Sequence, residues 1–321
     1  MTMAYVDHFT YALGRQKCSV EQSVAARRTL TGASDLQDAG FRHHHVCDHD
    51  ESAYDVALAA VQNIAHGEVA DVDAIVYATC IPANGNIGDV AAFGDTGDVK
   101  HLMDFPASRL QADLGLDRAF VVGVNQQACT SAFGAIRLAN GLLAAEPDLE
   151  NVLCLTADRF PPGATYEQAY SLISDGAAAC IVSRSPSAYR ILAAHQITNG
   201  GLVHADDDET VGVYFSYTAR LIGELLAKSG RTTADVDWVV PQNTNVKAWQ
   251  ILSRLLGIDY DRVSHESLPD VGHMISGDNL VNLAYLGERN VVQPGDVVLL
   301  VMAGYGMNWQ ALLLERTLWT P

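Results

Sequence analysis

The sequence predicts an α/β protein assembled from two similar halves, on three observations. Residues 70–76 (ADVDAIV) are echoed at 234–240 (ADVDWVV). Each copy follows an amphipathic helix candidate, YDVALAAVQNIAHG at 54–67 and YTARLIGELLAKSG at 217–230, and each runs into a polar loop, TCIPANGN or PQNTN. Short apolar runs then alternate with helical patterns, which indicates strands in sheets covered on both faces.

In chain order, the strands expected beside the two echoes are FVVGVN (120–125), NVLCLTA (151–157), AAACIVS (177–183) and DVVLLVMAG (296–304). Between them, SAFGAIRLANGLLAA (131–145), VKAWQILSRLLG (246–257) and NLVNLAYLGE (279–288) are expected as helices. The two halves are placed at 1–185 and 186–321.

Composition narrows the function. Of the 321 residues 49% are hydrophobic, enough for a large core, and only 18% are charged, so extensive disorder is not expected. The formal charge of −18 disfavours a nucleic-acid partner, which requires basic surface. The first residues, MTMAYVDHFTYALG, lack a charged-then-apolar signal pattern, and no apolar run is expected to span a membrane. The six cysteines (18, 47, 80, 129, 154, 180) have no tight pair spacing, so neither a disulfide framework nor an oxidising compartment is expected. Cys154 and Cys180 lie in strand-like runs, where cysteine acts as a small hydrophobe. The protein is expected to be cytoplasmic. The run His43-His44-His45, with Cys47, Asp48 and His49, does not make a metal site, because adjacent histidines cannot face one ion.

Cys129 differs from the other cysteines. In VVGVNQQACTSAFGAIRLANGLL a strand ends near Asn125 and a helix begins near Cys129 or Thr130. A helix N-terminus carries unpaired N–H groups and partial positive charge, which stabilise a thiolate and can hold an oxyanion. The local alternative is a buried structural cysteine.

The segment FPASRLQADLGLDRAFVVGVNQQACTSAFGAIRLANGLL resembles the active-site region of ketoacyl-ACP synthase III enzymes, where a strand leads through a polar run to the acyl-accepting cysteine. GFRHHHVCDHDESAYDVALAAVQNIA resembles their GIRxR segment and following helix. SDGAAACIVS is similar to their GDGAGAAVL strand, WVVPQNTNVKAW to the PHQAN region, and GYGMNW to the GGGFTWG turn. The resemblance covers most of the chain and implies a thiolase-like fold, with the halves layered α-β-α-β-α, and a homodimer. It also implies acyl-CoA or the phosphopantetheine of an acyl-carrier protein as donor, with no tightly bound cofactor. Such donors are acidic, so this acidic protein would need a local basic patch.

The chain departs from the family's Cys-His-Asn set. The histidine of PHQAN is replaced by Gln242 in Pro241-Gln242-Asn243-Thr244-Asn245, and His273 stands at or beside the asparagine position of the GNTSA-like segment. Gln242 can donate a hydrogen bond but cannot act as a base, whereas His273 can do both. Asp278 or Asn279 can orient His273, and Asp278 can equally cap the following helix.

The expected catalytic set is therefore Cys129, His273, Gln242, Asn243 and the backbone of Gly306. Asn245, Lys247, Arg254, Arg42 and Asp278 are the expected substrate- or donor-binding set. Lys247 stands where the family has a donor-binding basic residue, and Arg254 lies two helical turns on. The tryptophan that stacks on CoA adenine in the family has no counterpart, which leaves the donor open or favours a carrier protein. Loop 81–105 is expected to help shape the pocket and approach a partner subunit.

Three functions follow. The acyl group passes from Cys129 to an oxygen or nitrogen of a small-molecule acceptor in specialised metabolism, polyketide or fatty-acid-like. Alternatively the enzyme is a decarboxylating ketosynthase III making a 3-oxoacyl product, or the chain is a non-catalytic acyl-binding scaffold.

Overall fold

The computed structural model of the protein describes residues 4–86, 88–205, 207–305 and 307–319. Among them, nine strands form one mixed sheet. They are β1 (Tyr5–Leu13), β2 (Ala74–Ala78), β3 (Phe120–Val124), β4 (Asn151–Asp158), β5 (Gly176–Ser183), β6 (Tyr189–Thr198), β7 (Trp238–Pro241), β8 (Val297–Gly304) and β9 (Asn308–Arg316). Their spatial order is β7-β8-β9-β6-β1-β5-β4-β2-β3.

Read outward from the middle, the two sides repeat. β1-β5-β4-β2 and β6-β9-β8-β7 each run first strand, last strand, penultimate, second. In both, the first two joints are antiparallel and the third is parallel. β3 extends the first side in parallel with β2. The sides meet through β1 and β6, where only Tyr5↔Arg190 and Val6↔Tyr189 are paired.

Side-chain alternation along the strands sorts the core into layers. One face of β2 and β4 (Val76, Cys154) and of β8 (Val298, Leu300) meets two central helices, α2 (Ser131–Ala145) and α5 (Asp278–Glu288), through Phe133, Ile136, Leu280 and Leu283. The opposite face of the first side (Ile75, Tyr77, Leu153, Leu155) is covered by α1 (Ala53–Gln62), through Val56, Ala60 and Val61. The opposite face of the second side (Leu299, Val301, Leu313) is covered by α3 (Asp207–Ser229) and α4 (Val246–Leu256), through Leu221, Leu225, Trp249 and Leu252. This is the helix-sheet-helix-sheet-helix layering of a thiolase-like fold. The apolar stretch 128–145 has the length and composition of a membrane span, and it contains α2, the half-buried helix of the central layer.

Local chemistry sets the element ends. Ser52 accepts from the Asp55 N–H while Asp55 accepts from the Ser52 N–H, a reciprocal cap that starts α1. The expected helix 54–67 stops at Gln62, and a separate short helix spans His66–Ala70. α3 begins ten residues before the expected 217–230 helix. β1, β6 and β9 lie outside the expected strands. β1 and β6 are mostly half-buried and carry polar residues such as His8, Thr10, Arg190 and Gln196, so they lack the wholly apolar signature.

Candidate active site

Cys129 sits in a tight turn, Ala128–Thr130, between the end of β3 and the start of α2. Ala128 has φ of +46°, a left-handed conformation that costs a non-glycine residue about 1–3 kcal/mol and persists only when neighbours enforce it. The enforcement comes from β9. Gln310 Nε2 donates to the Thr130 carbonyl at 3.2 Å, to Thr130 Oγ1 at 3.0 Å and to Gln127 Oε1 at 2.9 Å. The end of β8 closes from the other side, where a Cβ on Gly304 would lie 2.8 Å from the Cys129 nitrogen. Only glycine fits there.

His273 is delivered by a loop that crosses the end of β5. Gly272 has φ of +69°, and a Cβ there would lie 2.9 Å from the Leu172 carbonyl oxygen. Its neighbour His273 donates its N–H to that carbonyl at 2.8 Å and accepts from the Ser174 N–H at 2.9 Å. The ring is buried, with Nδ1 2.5 Å from Asp278 Oδ2. Asp278 is fully buried and also accepts from the Asn243 N–H at 2.7 Å and the Met274 N–H at 2.6 Å. A carboxylate partner fixes the proton on Nδ1 and leaves Nε2 for the cysteine.

The electrostatics follow from this packing. Burial pulls the His273 pKa down, but the charge and hydrogen bond of Asp278, with a further contribution from Cys129, raise it to about 10. Cys129 moves the other way. A hydrogen bond with the Cys80 thiol lowers its pKa most; burial opposes this, His273 adds to it, and Asp278 opposes it. The net direction is well below the ordinary thiol range, while Cys80 is pushed far above it. These directions favour a thiolate on Cys129 facing a protonated His273, with the other thiol proton kept on Cys80.

Cys129 and His273 stand where two cavities meet. The outer cavity, about 260 Å³, runs past Gln242, Asn245 and Lys247 and has aromatic walls that include Tyr214, Phe215 and Trp309. The inner one, about 240 Å³, is bounded by Cys80, Ile81, Phe160, Ala164, Ile173 and Ile275. Both cavities thus open onto Cys129 and His273.

Of the sequence-predicted residues, Cys129, His273 and Gln242 are brought together. Gln242 Oε1 accepts the Ala303 N–H at 2.5 Å. That bond sets the amide orientation and leaves Nε2 as a donor. Asn245 lines the outer cavity and caps α4, accepting from the Lys247 N–H at 2.9 Å. Lys247 lies exposed on the cavity rim. Arg254 is exposed in the last turn of α4, and Arg42 is exposed on a segment tied to the start of α4 by the Val246 N–H to Ala39 carbonyl bond.

Two expectations need correction. Asn243 reaches neither cavity: its Nδ2 donates to Ser267 Oγ and the Gly272 carbonyl, both at 2.8 Å, and its Oδ1 accepts from Asn282. It braces the His273 loop. Asp278 is likewise no binding residue, because its oxygens are spent on His273, Asn243 and Met274; Asn279 instead donates to the Val240 and Val301 carbonyls. Gly306 lies outside the described residues. The three adjacent histidines diverge to different partners: His43 to Asp270, His44 to Ser23 and Ile173, His45 to Gly14.

Cys80 and the cavity aromatics were not foreseen as site residues. The signal for Cys80 was its polar loop after the first echo, but only the fold shows that this loop reaches Cys129.

Comparison with known proteins agrees with the geometry. The family model of 3-oxoacyl-[acyl-carrier-protein] synthase III matches residues 125–200, and the model of its C-terminal part matches residues 226–316, together about half of the chain. Beta-ketoacyl-[acyl-carrier-protein] synthase III of Dinoroseobacter shibae is 27% identical over 311 residues, covering 86% of this chain and 88% of that protein. The solved synthase III of Pseudomonas aeruginosa superposes with a TM-score of 0.82 at 20% identity, covering 99% of this chain and 100% of that one. ChlB3, described as an acyltransferase, superposes at 0.81 with 19% identity, covering 98% of both chains. The chain therefore belongs to the ketoacyl-ACP synthase III family of thiolase-fold enzymes, which transfer or condense acyl groups.

Proposed function

We propose that the protein takes an acyl group from a CoA or acyl-carrier-protein thioester onto Cys129 and passes it to an oxygen or nitrogen of a small-molecule acceptor. The observation that carries this reading is the buried Asp278–His273 pair set against Cys129 at the junction of two cavities.

The Cys129 thiolate attacks the thioester carbonyl, and the departing thiolate takes the proton from His273 Nε2. The charge of Cys129 is one of the causes holding the His273 pKa up, so acylation removes that support, lowers the pKa and leaves more of the ring neutral, the form that can accept the acceptor's proton. The acceptor then loses its proton to Nε2 as it attacks the acyl group, and Cys129 leaves as a thiolate beside the restored imidazolium. Asp278 holds the Nδ1 proton throughout. Gln242 Nε2 orients a group in the outer cavity, and the Cys129 N–H, with the Gly306 N–H, serves the oxyanion.

Lys247, with Arg254 and Arg42 on neighbouring exposed surface, supplies the basic patch for an acidic donor. No tightly bound cofactor enters this scheme. The two halves, 1–185 and 186–321, divide the labour: the first carries Cys129, the second His273 and the amides. We read the enzyme as cytoplasmic and as part of specialised metabolism, polyketide or fatty-acid-like. β3 is an edge strand with Phe120 and Gly123 exposed, and Val90, Met103 and Phe105, in the chain between β2 and β3, are exposed apolar groups. An open apolar edge of this kind supports a homodimer.

The test is discharge of the loaded enzyme. With alcohols or amines in excess, the acyl-enzyme mass is expected to disappear as the ester or amide forms. Discharge only with malonyl thioesters, accompanied by CO2 release, would replace this reading with the decarboxylating ketosynthase.

A further inference from the structure

Thr79 to Asn84 form a loop fastened to one buried carboxylate. Asp158, at the end of β4, is 2% exposed. Its Oδ1 accepts from Thr79 Oγ1 at 2.6 Å, from the Cys80 N–H at 3.0 Å, from the Ile81 N–H at 2.9 Å and from Asn84 Nδ2 at 3.2 Å. Four donors converging on one oxygen fix the backbone of Cys80. Cys80 lines the same inner cavity as Cys129 and His273. The reacting sulfur thus has a cationic ring among its neighbours and a second thiol.

We propose that Cys80 is a catalytic residue of this site, a hydrogen-bond donor to the Cys129 sulfur that holds it as a thiolate before loading and receives it again when the acyl group leaves. The inference rests on Cys129 being the acyl carrier. Its chemistry requires no oxidant, since the Cys80 proton stays on Cys80 throughout. The need is physical. Cys129 is buried, so its charge is poorly solvated, and the Asp278 carboxylate on α5 lies on the far side of His273 and repels it. The groups facing the sulfur are Cys80 from the anchored loop, His273 from the Gly272 loop, and Asp278 behind it. A thiol is a weak donor in water, but here Cys80 shares the inner cavity wall with a buried acceptor sulfur that meets little competing solvent. The direction of the two thiol pKa shifts, Cys129 down and Cys80 up, agrees with this division of the proton.

The test is the pH dependence of Cys129 alkylation by iodoacetamide, read on the peptide that contains Cys129, in wild type, Cys80→Ala and Cys80→Ser. Cys80→Ala is expected to move the midpoint upward by about one pH unit or more. Cys80→Ser keeps a donor of similar size and is expected to restore most of the shift. Equal midpoints in wild type and Cys80→Ala would overturn the proposal, and so would Cys80→Ser behaving as Cys80→Ala, since a packing role would not separate the two. Alkylation needs no acyl donor. The readout therefore stands apart from whether any thioester loads the enzyme, and failure of the acyl-transfer reading would be seen separately.

Discussion

At the scale of single residues, Asp278 decides what His273 can do. Both of its oxygens accept a backbone N–H, from Asn243 and Met274, and one of them also meets His273 Nδ1. In Asp278→Asn, either orientation of the amide turns an NH2 towards one of those N–H groups. Where the NH2 faces Nδ1, the ring is forced into the tautomer with its proton on Nε2, and the base is lost. Discharge of the acyl-enzyme is expected to slow about 10²–10⁴-fold. Loading responds differently. Without the carboxylate the imidazolium is less favoured, and because the support of His273 for the thiolate is larger than the direct repulsion by Asp278, the Cys129 pKa rises, so loading falls at neutral pH but recovers as pH is raised. Single-turnover rates for the two steps across pH separate these outcomes; parallel loss of both at all pH values would count against the role of Asp278.

The residue scale is also where sequence reading reached its limit. Cys129 stands out in the sequence by its strand-to-helix position and His273 by the family resemblance of its segment, and the fold brings the two to one cavity. Asn243 was misread because its position in a polar loop does not say where an amide points, and here it points into a brace of Ser267, Gly272 and Asn282. Cys80 was missed because it lies 49 positions before Cys129 and only folding closes that gap.

At the scale of elements, the site is built from loops held by buried polar anchors. Asp158 holds the Cys80 loop, Asp278 the His273 loop, and Gln310 the Cys129 turn. Replacing Asp158 with Ala strands buried donors, each costing about 1–3 kcal/mol. Asp158→Ala is therefore expected to lower stability by several kcal/mol in denaturant titration; a loss below about 1 kcal/mol would show that the loop holds without its anchor. Elements were legible where chemistry was one-sided. β2, β4, β5 and β8 are apolar on both faces, and α2 and α4 have the expected positions. β1 and β6 were hidden because each mixes buried and half-exposed residues.

At the scale of the whole molecule, the repeat seen in seven residues is the trace of a repeated strand order, which no short echo specifies. The open edge at β3 makes the dimer testable. Sedimentation is expected to give a dimer for the wild type and a weakened dimer for Val122→Arg, which puts charge on the edge strand; a monomeric wild type would contradict the assignment.

The central claim is that Cys129 carries the acyl group. Intact-mass measurement after incubation with a panel of acyl-CoA and acyl-carrier-protein thioesters tests it most directly, with Cys129→Ser and His273→Ala alongside. The account predicts a mass gain equal to one acyl group in the wild type, no gain in Cys129→Ser, and in His273→Ala a species that loads at raised pH but does not discharge. A gain that survives Cys129→Ser, or no gain from any donor while Cys129 remains free to alkylate, would contradict it and favour an acyl-binding scaffold.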